Sequence, residues 1–198
     1  METAQILENL ILRYPQLANC RNSIQRAYEI LRNCFKQGKR LYLCGNGGSA
    51  SDAEHIVGEL MKGFILPRPV HIILPEEKLQ YGLPAISLVS QSSLISAIAN
   101  DNGADLVFAQ QVMGYGTKGD VLWGITTSGN SPNILKAVEV AHALKMIAIG
   151  LTGKTGGKLK DMCDVCVTVP ETDTYKVQEL HLPVYHCICM MLEEQFFG

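Results

Sequence analysis

Five short apolar runs, most of them set apart from the next by a helical stretch, constrain this chain more than any other feature. Residues 40–44, 84–88, 120–125, 146–151 and 165–169 read as buried strands. Helical spacing of apolar residues covers 50–62, 94–99, 107–114, 132–144 and 175–196. Strands joined through helices run parallel, and a parallel sheet needs helices on both faces. The order therefore predicts an α/β protein, a three-layer αβα sandwich around a five-stranded parallel sheet. Ahead of the first strand, Ile6, Leu7, Leu10 and Ile11, then Ile24, Ala27, Tyr28 and Leu31, recur at helical spacing. Pro15 separates these two helices and Gly38 ends the second. Pro132 suits a first helical turn, whereas Pro183 should bend the last helix. Residues 64–83 break the alternation. Pro67, Pro69, Pro75 and Gly82 mark an irregular excursion there, with 70–74 as a short extended piece.

The 198 residues suffice for one domain, 1–198, with no linker or repeat inside it. A formal charge of −2 provides no basic field for nucleic acid. No apolar run approaches the ~20 residues of a membrane span. The opening Met-Glu-Thr-Ala-Gln lacks the basic-then-apolar pattern of a secretory signal, so a cytoplasmic location is expected. Seven cysteines, an odd count in mostly apolar settings, suit a reducing compartment. Cys163 and Cys166 form a C-x-x-C, but it has no second Cys/His pair and leads into a strand, so it reads as structural.

Two polar loops follow strands. Gly45-Asn46-Gly47-Gly48-Ser49 leads into a helix whose free N–H groups and dipole suit an anion. It lacks both the P-loop lysine and the third glycine of a dinucleotide fingerprint, and alone it reads equally well as an ordinary turn. Thr126-Thr127-Ser128-Gly129-Asn130-Ser131 repeats the arrangement, with Ser131 also placed to cap a helix. Two such loops at the carboxyl edge of one parallel sheet point to a phosphate ligand.

Acid–base candidates lie on two helices. His55 and Glu59 are four apart and share a face, which suits an acid–base pair, half a metal site, or a plain surface pair. Asp52 and Glu54 point elsewhere on this reading. On the last helix Gln178 and His186 are eight apart and can reach one pocket, with His181 as a competitor.

These pieces together resemble the phosphoheptose isomerases of the sugar-isomerase (SIS) domain family. The likeness runs through Cys44 to Ser49, Asp52-Ala53-Glu54-His55 with Glu59, Asn100-Asp101, Gly124 to Ser131, Leu151 to Lys154 with Gly156-Gly157, and Val177 to His181 with His186. The resemblance implies a flavodoxin-like SIS fold with N-terminal helices, 1–37, used in oligomerisation. It implies conversion of sedoheptulose 7-phosphate to D-glycero-D-manno-heptose 7-phosphate, the first step toward ADP- or GDP-heptose for bacterial surface glycans such as lipopolysaccharide. A homotetramer with shared active sites is implied as well. Phosphate-binding positions match Ser49, Thr126, Thr127, Ser128 and Ser131, backed by Gly47 and Gly48. Sugar-contacting positions match Asn46 and Asp101, with Gln178 at the substrate. Catalysis falls on Glu59 and His186, and zinc on His55, Glu59, Gln178 and His186.

Three departures stand out. Gly63 replaces an Arg of the family, with Lys62, Arg68 or another subunit as the alternative source of charge. Tyr175 replaces an Asp, and the excursion from Phe64 to Leu83 has no counterpart in the typical member. The competing functions are a non-catalytic SIS protein of the replication-initiator-associating type, a sugar-phosphate sensor, and an isomerase of another sugar phosphate. The first lacks the Glu and second His found here as Glu59 and His186. The second usually carries a further domain.

Overall fold

The computed structural model describes residues 2–70 and 78–198. The strands are β1 (Leu41–Gly45), β2 (Ala85–Ser87), β3 (Val121–Ile125), β4 (Ile147–Thr152) and β5 (Val165–Thr168). The helices are α1 (Thr3–Arg13), α2 (Arg21–Lys36), α3 (Gly48–Met61), α4 (Ser92–Asp101), α5 (Ala109–Tyr115), α6 (Pro132–Ala143), α7 (Gly157–Met162) and α8 (Thr174–Phe197). Short 3-10 turns occupy Pro15–Cys20 and Ala104–Leu106. All strand pairs are parallel, in the order β2-β1-β3-β4-β5.

Alternation along each strand divides the core. Leu41, Leu43, Trp123 and Leu151 face the layer of α1, α2, α3 and α8. Tyr42, Cys44, Leu122 and Ala148 face the layer of α4 to α7. A slip of one residue would exchange the two sets, so burial on both faces fixes the register. In that register Leu41 lies opposite Val121, and Gly45 opposite Ile125. The carboxyl ends of β1 and β3 are therefore level, and the loops that leave them lie side by side. Strand order reverses between these two strands, where open parallel sheets form their ligand crevice.

Three elements differ from the sequence reading. β2 is only three residues long. α7 was not expected, because its six residues bury a single apolar side chain, Leu159, too few for a periodic signal. α8 runs unbroken through Pro183. Packing on most of its circumference, with Val177, Val184, Ile188 and Leu192 fully buried, outweighs the lost backbone bond.

The excursion after α3 turns back on itself, pairing Arg68 O with Tyr81 N–H and Val70 N–H with Leu79 O. The rest of the extended piece expected at 70–74, and Pro75, lie outside the described residues. Arg68 is buried and forms an ion pair with Glu193 of α8 at 2.8 Å. Its guanidinium donates to the Glu59 and Leu60 carbonyls at 3.2 and 2.8 Å and covers the Phe197 ring. The Glu193 carboxylate accepts the backbone N–H groups of Phe64, Ile65 and Leu66. Burial raises the pKa of Glu193, but these donors outweigh it and the net shift is downward.

Cys163 and Cys166 are free thiols packed near Gly150 of β4, and burial pushes both pKa values up. Among the described residues no helix is long and apolar enough to cross a membrane.

Candidate active site

The loops after β1 and β3 enclose a cavity of about 250 Å³. Gly47, Gly48 and Ser49 form one wall, and Thr126, Thr127, Ser128 and Ser131 the other. Asn46, Ile125, Thr174 and Gln178 complete it, so among the described residues no charged side chain lines the cavity. The N-termini of α3 and α6 both open there, which supplies partial positive charge for an anion. Gly47 precedes α3 with φ +56, a conformation that favours glycine. The side chains of Asn46 and Asn133 exchange two hydrogen bonds, at 3.0 and 2.9 Å, and tie the first loop to α6. Thr126 Oγ1 and Ser131 Oγ are 2.9 Å apart. Gly129, with φ +68, sits so close to the 152–157 loop that a Cβ would lie 2.0 Å from Gly156 O. This packing sets the shape of the second wall.

A second group lies farther along α3 and on α8. His55 Nε2 is 3.1 Å from Glu59 Oε1 and 3.4 Å from His186 Nε2. The ligand atoms of these three residues all lie within 4.8 Å of one another. Four ligands about 2.0–2.1 Å from a zinc ion stand about 3.4 Å apart at the corners of a tetrahedron. Both observed separations suit that spacing, so the donor set fits zinc. Phe64 packs against the His186 ring, with centroids 5.3 Å apart. Burial first, and His55 second, lower the pKa of His186, while Glu59 opposes them.

Residues 13–153 match the SIS domain family. A phosphoheptose isomerase of Trichlorobacter lovleyi is 41% identical over 194 residues, covering 98% of this chain and 93% of its own length. Phosphoheptose isomerase 2 of Campylobacter jejuni is 44% identical over 164 residues, 83% of this chain and 76% of that protein. The chain belongs to the phosphoheptose isomerase family of SIS domains. Two solved members superpose on its fold. The enzyme from Francisella tularensis gives a TM-score of 0.81 at 35% identity, covering 94% of each chain. GmhA from Neisseria gonorrhoeae gives 0.76 at 34%, covering 97% of this chain and 91% of the other.

Within this SIS fold the sequence-derived residues fall into two groups. Asn46, Gly47, Gly48, Ser49, Thr126, Thr127, Ser128, Ser131 and Gln178 meet at the cavity. His55, Glu59 and His186 meet at the cluster. Gln178 stands at the cavity. Its amide lies against Gly48, where an added Cβ would come within 2.4 Å of Nε2. Asp101 ends α4, accepts a bond from Asn100 at 2.7 Å and does not line the cavity. Arg68 is buried in its ion pair and cannot stand in for the family Arg at Gly63, whereas Lys62 is exposed. His181 is wholly buried, and burial lowers its pKa to about 4. The Thr152 backbone faces the ring without reaching good hydrogen-bond geometry, so it offsets burial only in part.

The sequence reading missed Asn133, Thr174 and Tyr185, and placed Asp52 away from the site. Tyr185 Oη lies 3.2 Å from Asp52 Oδ1 and 3.0 Å from His55 Nδ1. Asp52 and His55 are three apart on α3, a spacing that puts them on neighbouring faces of one helix. Glu54 does turn away, to accept from Ser90 Oγ.

Proposed function

We infer that this protein is a sugar-phosphate isomerase that converts sedoheptulose 7-phosphate to D-glycero-D-manno-heptose 7-phosphate. The observation that carries this reading is the placement of cavity and cluster on the same pair of helices. Gln178 of α8 touches Gly48 of α3 at one end, and His186 touches His55 farther along. At 1.5 Å per residue, His55 and Glu59 lie about 9 and 15 Å along α3 from Ser49. Helical side chains tilt back toward the N-terminus, here toward the cavity. An extended seven-carbon ketose phosphate separates its phosphorus from C2 by seven bonds of about 1.5 Å, roughly 9 Å in zigzag. A phosphate in the cavity therefore brings C1 and C2 to the cluster.

The chemistry moves one proton between C1 and C2 through an enediol. The Glu59 carboxylate takes a proton from C1 and returns it at C2. His186, whose charged form burial and His55 disfavour, trades protons with the oxygens on C1 and C2. The hydroxyls of Ser49, Thr126, Thr127, Ser128 and Ser131 hold the phosphate and so fix the carbon chain between these groups. A zinc ion held by His55, Glu59 and His186, with Gln178 as fourth ligand, would polarise the substrate carbonyl when bound.

The assembly proposed is a homotetramer. A groove of about 940 Å³ runs between α1, residues 64–66 and α8, with Leu10, Leu12, Phe64, Leu182 and Met190 on its walls. His186 lines the same groove, so a second copy seated there would close the active site and could supply a basic group to the sugar. Seven free cysteines support a reducing, cytoplasmic setting.

The test is direct. Incubation with sedoheptulose 7-phosphate, with and without zinc, should produce an aldose signal by NMR, and its absence at high enzyme concentration would sink the substrate assignment. Light scattering at micromolar concentration should report four chains, and a monomer mass would rule out the assembly.

A further inference from the structure

Asp52, Tyr185 and His55 form a short chain of hydrogen bonds behind the cluster. The Tyr185 hydroxyl has one hydrogen and two candidate acceptors, Asp52 Oδ1 at 3.2 Å and His55 Nδ1 at 3.0 Å. A carboxylate can only accept, whereas an imidazole nitrogen can accept or donate. Asp52 Oδ2 is buried and makes no hydrogen bond among the described residues. If Tyr185 donated to His55, the carboxylate would be left with no donor at either oxygen, a heavy penalty for a charged group shielded from water. With Asp52 ionised, the state that the Tyr185 hydrogen bond and His55 favour against burial, the phenolic hydrogen therefore belongs to Asp52. The Tyr185 oxygen then offers His55 only lone pairs, so His55 Nδ1 must carry the ring hydrogen.

The other nitrogen, Nε2, faces Glu59 Oε1 at 3.1 Å and His186 Nε2 at 3.4 Å. With the ring hydrogen on Nδ1, Nε2 has a lone pair for a cation held there, and without a cation a second proton bridges Nε2 and the carboxylate. We propose that Tyr185 and Asp52 are positioning residues that hold His55 as its Nδ1–H tautomer and so aim its Nε2 lone pair into the Glu59–His186 cluster. Tyr185 is fully buried and its ring meets the His186 ring edge-on, 4.9 Å between centroids, so the hydroxyl is held where both neighbours need it. An outer-shell hydrogen bond of this kind fixes the ring and raises the basicity of a metal-ligating histidine. The consequence for metal affinity rests on the zinc reading above, and the tautomer itself does not.

The experiment uses the full-length protein, wild type and Tyr185→Phe, with ¹⁵N-labelled histidine. Ring nitrogen shifts in the zinc-free protein should report a hydrogen on His55 Nδ1 in the wild type, and its loss in favour of the neutral Nε2–H ring, bonded to Glu59, in Tyr185→Phe. Zinc affinity, measured by competition with a chromogenic chelator, should fall about 10–100-fold in Tyr185→Phe. Asp52→Ala should reproduce both effects, and circular dichroism establishes that each variant is folded. An Nε2–H tautomer in the wild type, or wild-type shifts and zinc affinity in folded Tyr185→Phe, would overturn the relay. If the wild type binds no zinc yet keeps the Nδ1–H tautomer, the relay stands and the metal reading falls.

Discussion

His55 Nε2 lies 3.4 Å from His186 Nε2. Two ring nitrogens at this distance cannot both present bare lone pairs with a carboxylate at 3.1 Å from one of them, unless a proton or cation sits among them. The arrangement thus sets an imidazole whose charged form burial disfavours close to a carboxylate, and it gathers three donors at the spacing of a zinc tetrahedron.

Replacing either reacting group should separate these roles. Glu59→Gln keeps the shape of the side chain and removes the ionisable carboxylate. His186→Gln removes a group that can accept and return a proton near neutral pH. Each should lower kcat by about 10²–10⁴, the usual cost of a positioned acid or base. Metal analysis of the purified variants tells loss of zinc from loss of proton transfer. Near-full turnover by Glu59→Gln at saturating substrate and metal would defeat the proposed mechanism.

The cradle should respond differently. Ser128 Oγ accepts from Asn130 N–H and borders the cavity, so Ser128→Ala removes a donor to the phosphate while leaving the α6 end intact. A hydrogen bond to a charged group contributes about 1.5–3 kcal/mol, so inhibition by inorganic phosphate should weaken roughly 10–150-fold. Thr126 is buried and paired with Ser131, so Thr126→Ala should weaken phosphate binding and lower thermal stability together. An unchanged phosphate inhibition constant in both variants would place the cradle elsewhere.

The contrast between these two groups also marks how far the sequence could be read. The cradle was legible because its residues are contiguous: a strand, a glycine- or hydroxyl-rich loop and a helix follow one another in the chain. The alternation of apolar runs made the parallel sheet legible for the same local reason. Tyr185 and Arg68 were not legible in this way. Tyr185 looks like one more apolar position on α8, and only its meeting with Asp52 and His55, more than a hundred residues earlier, gives its hydroxyl a task. Arg68 sits among prolines and resembles a solvated loop residue until the fold brings Glu193 to it. The short α7 and the buried state of His181 likewise depend on tertiary packing, which no local period records.

The Arg68–Glu193 pair should be costly to break. Both side chains are essentially out of solvent, and between them they fasten α8, the last turn of α3 and the start of the excursion. Removing one partner leaves an uncompensated buried charge, which typically destabilises by about 3–5 kcal/mol. Arg68→Met alone should therefore lower the denaturation midpoint sharply. Combining it with Glu193→Gln should recover part of the loss, because the stranded carboxylate is gone. The recovery is checked by a double-mutant cycle in urea, and strict additivity of the two substitutions would mean that the pair does not act as a unit.

His181 should make stability depend on pH in one direction. Its folded pKa is depressed from 6.5 to about 4 because burial disfavours the imidazolium. The unfolded chain therefore binds a proton at higher pH than the native one. Stability from this group is fully present above about pH 6.5 and is lost as pH falls from there toward 4. A shift of that size corresponds to at most about 3 kcal/mol at the acid end. His181→Phe removes the titrating group while keeping a planar ring in the core. Urea denaturation at pH 7.5 and pH 5 should show the wild type losing more stability than His181→Phe across that interval. Carboxylates titrating in the same range affect both proteins alike and cancel in the comparison. Equal losses would mean that His181 is protonated in the native state, or that its ring reaches water despite the packing of α8 around it.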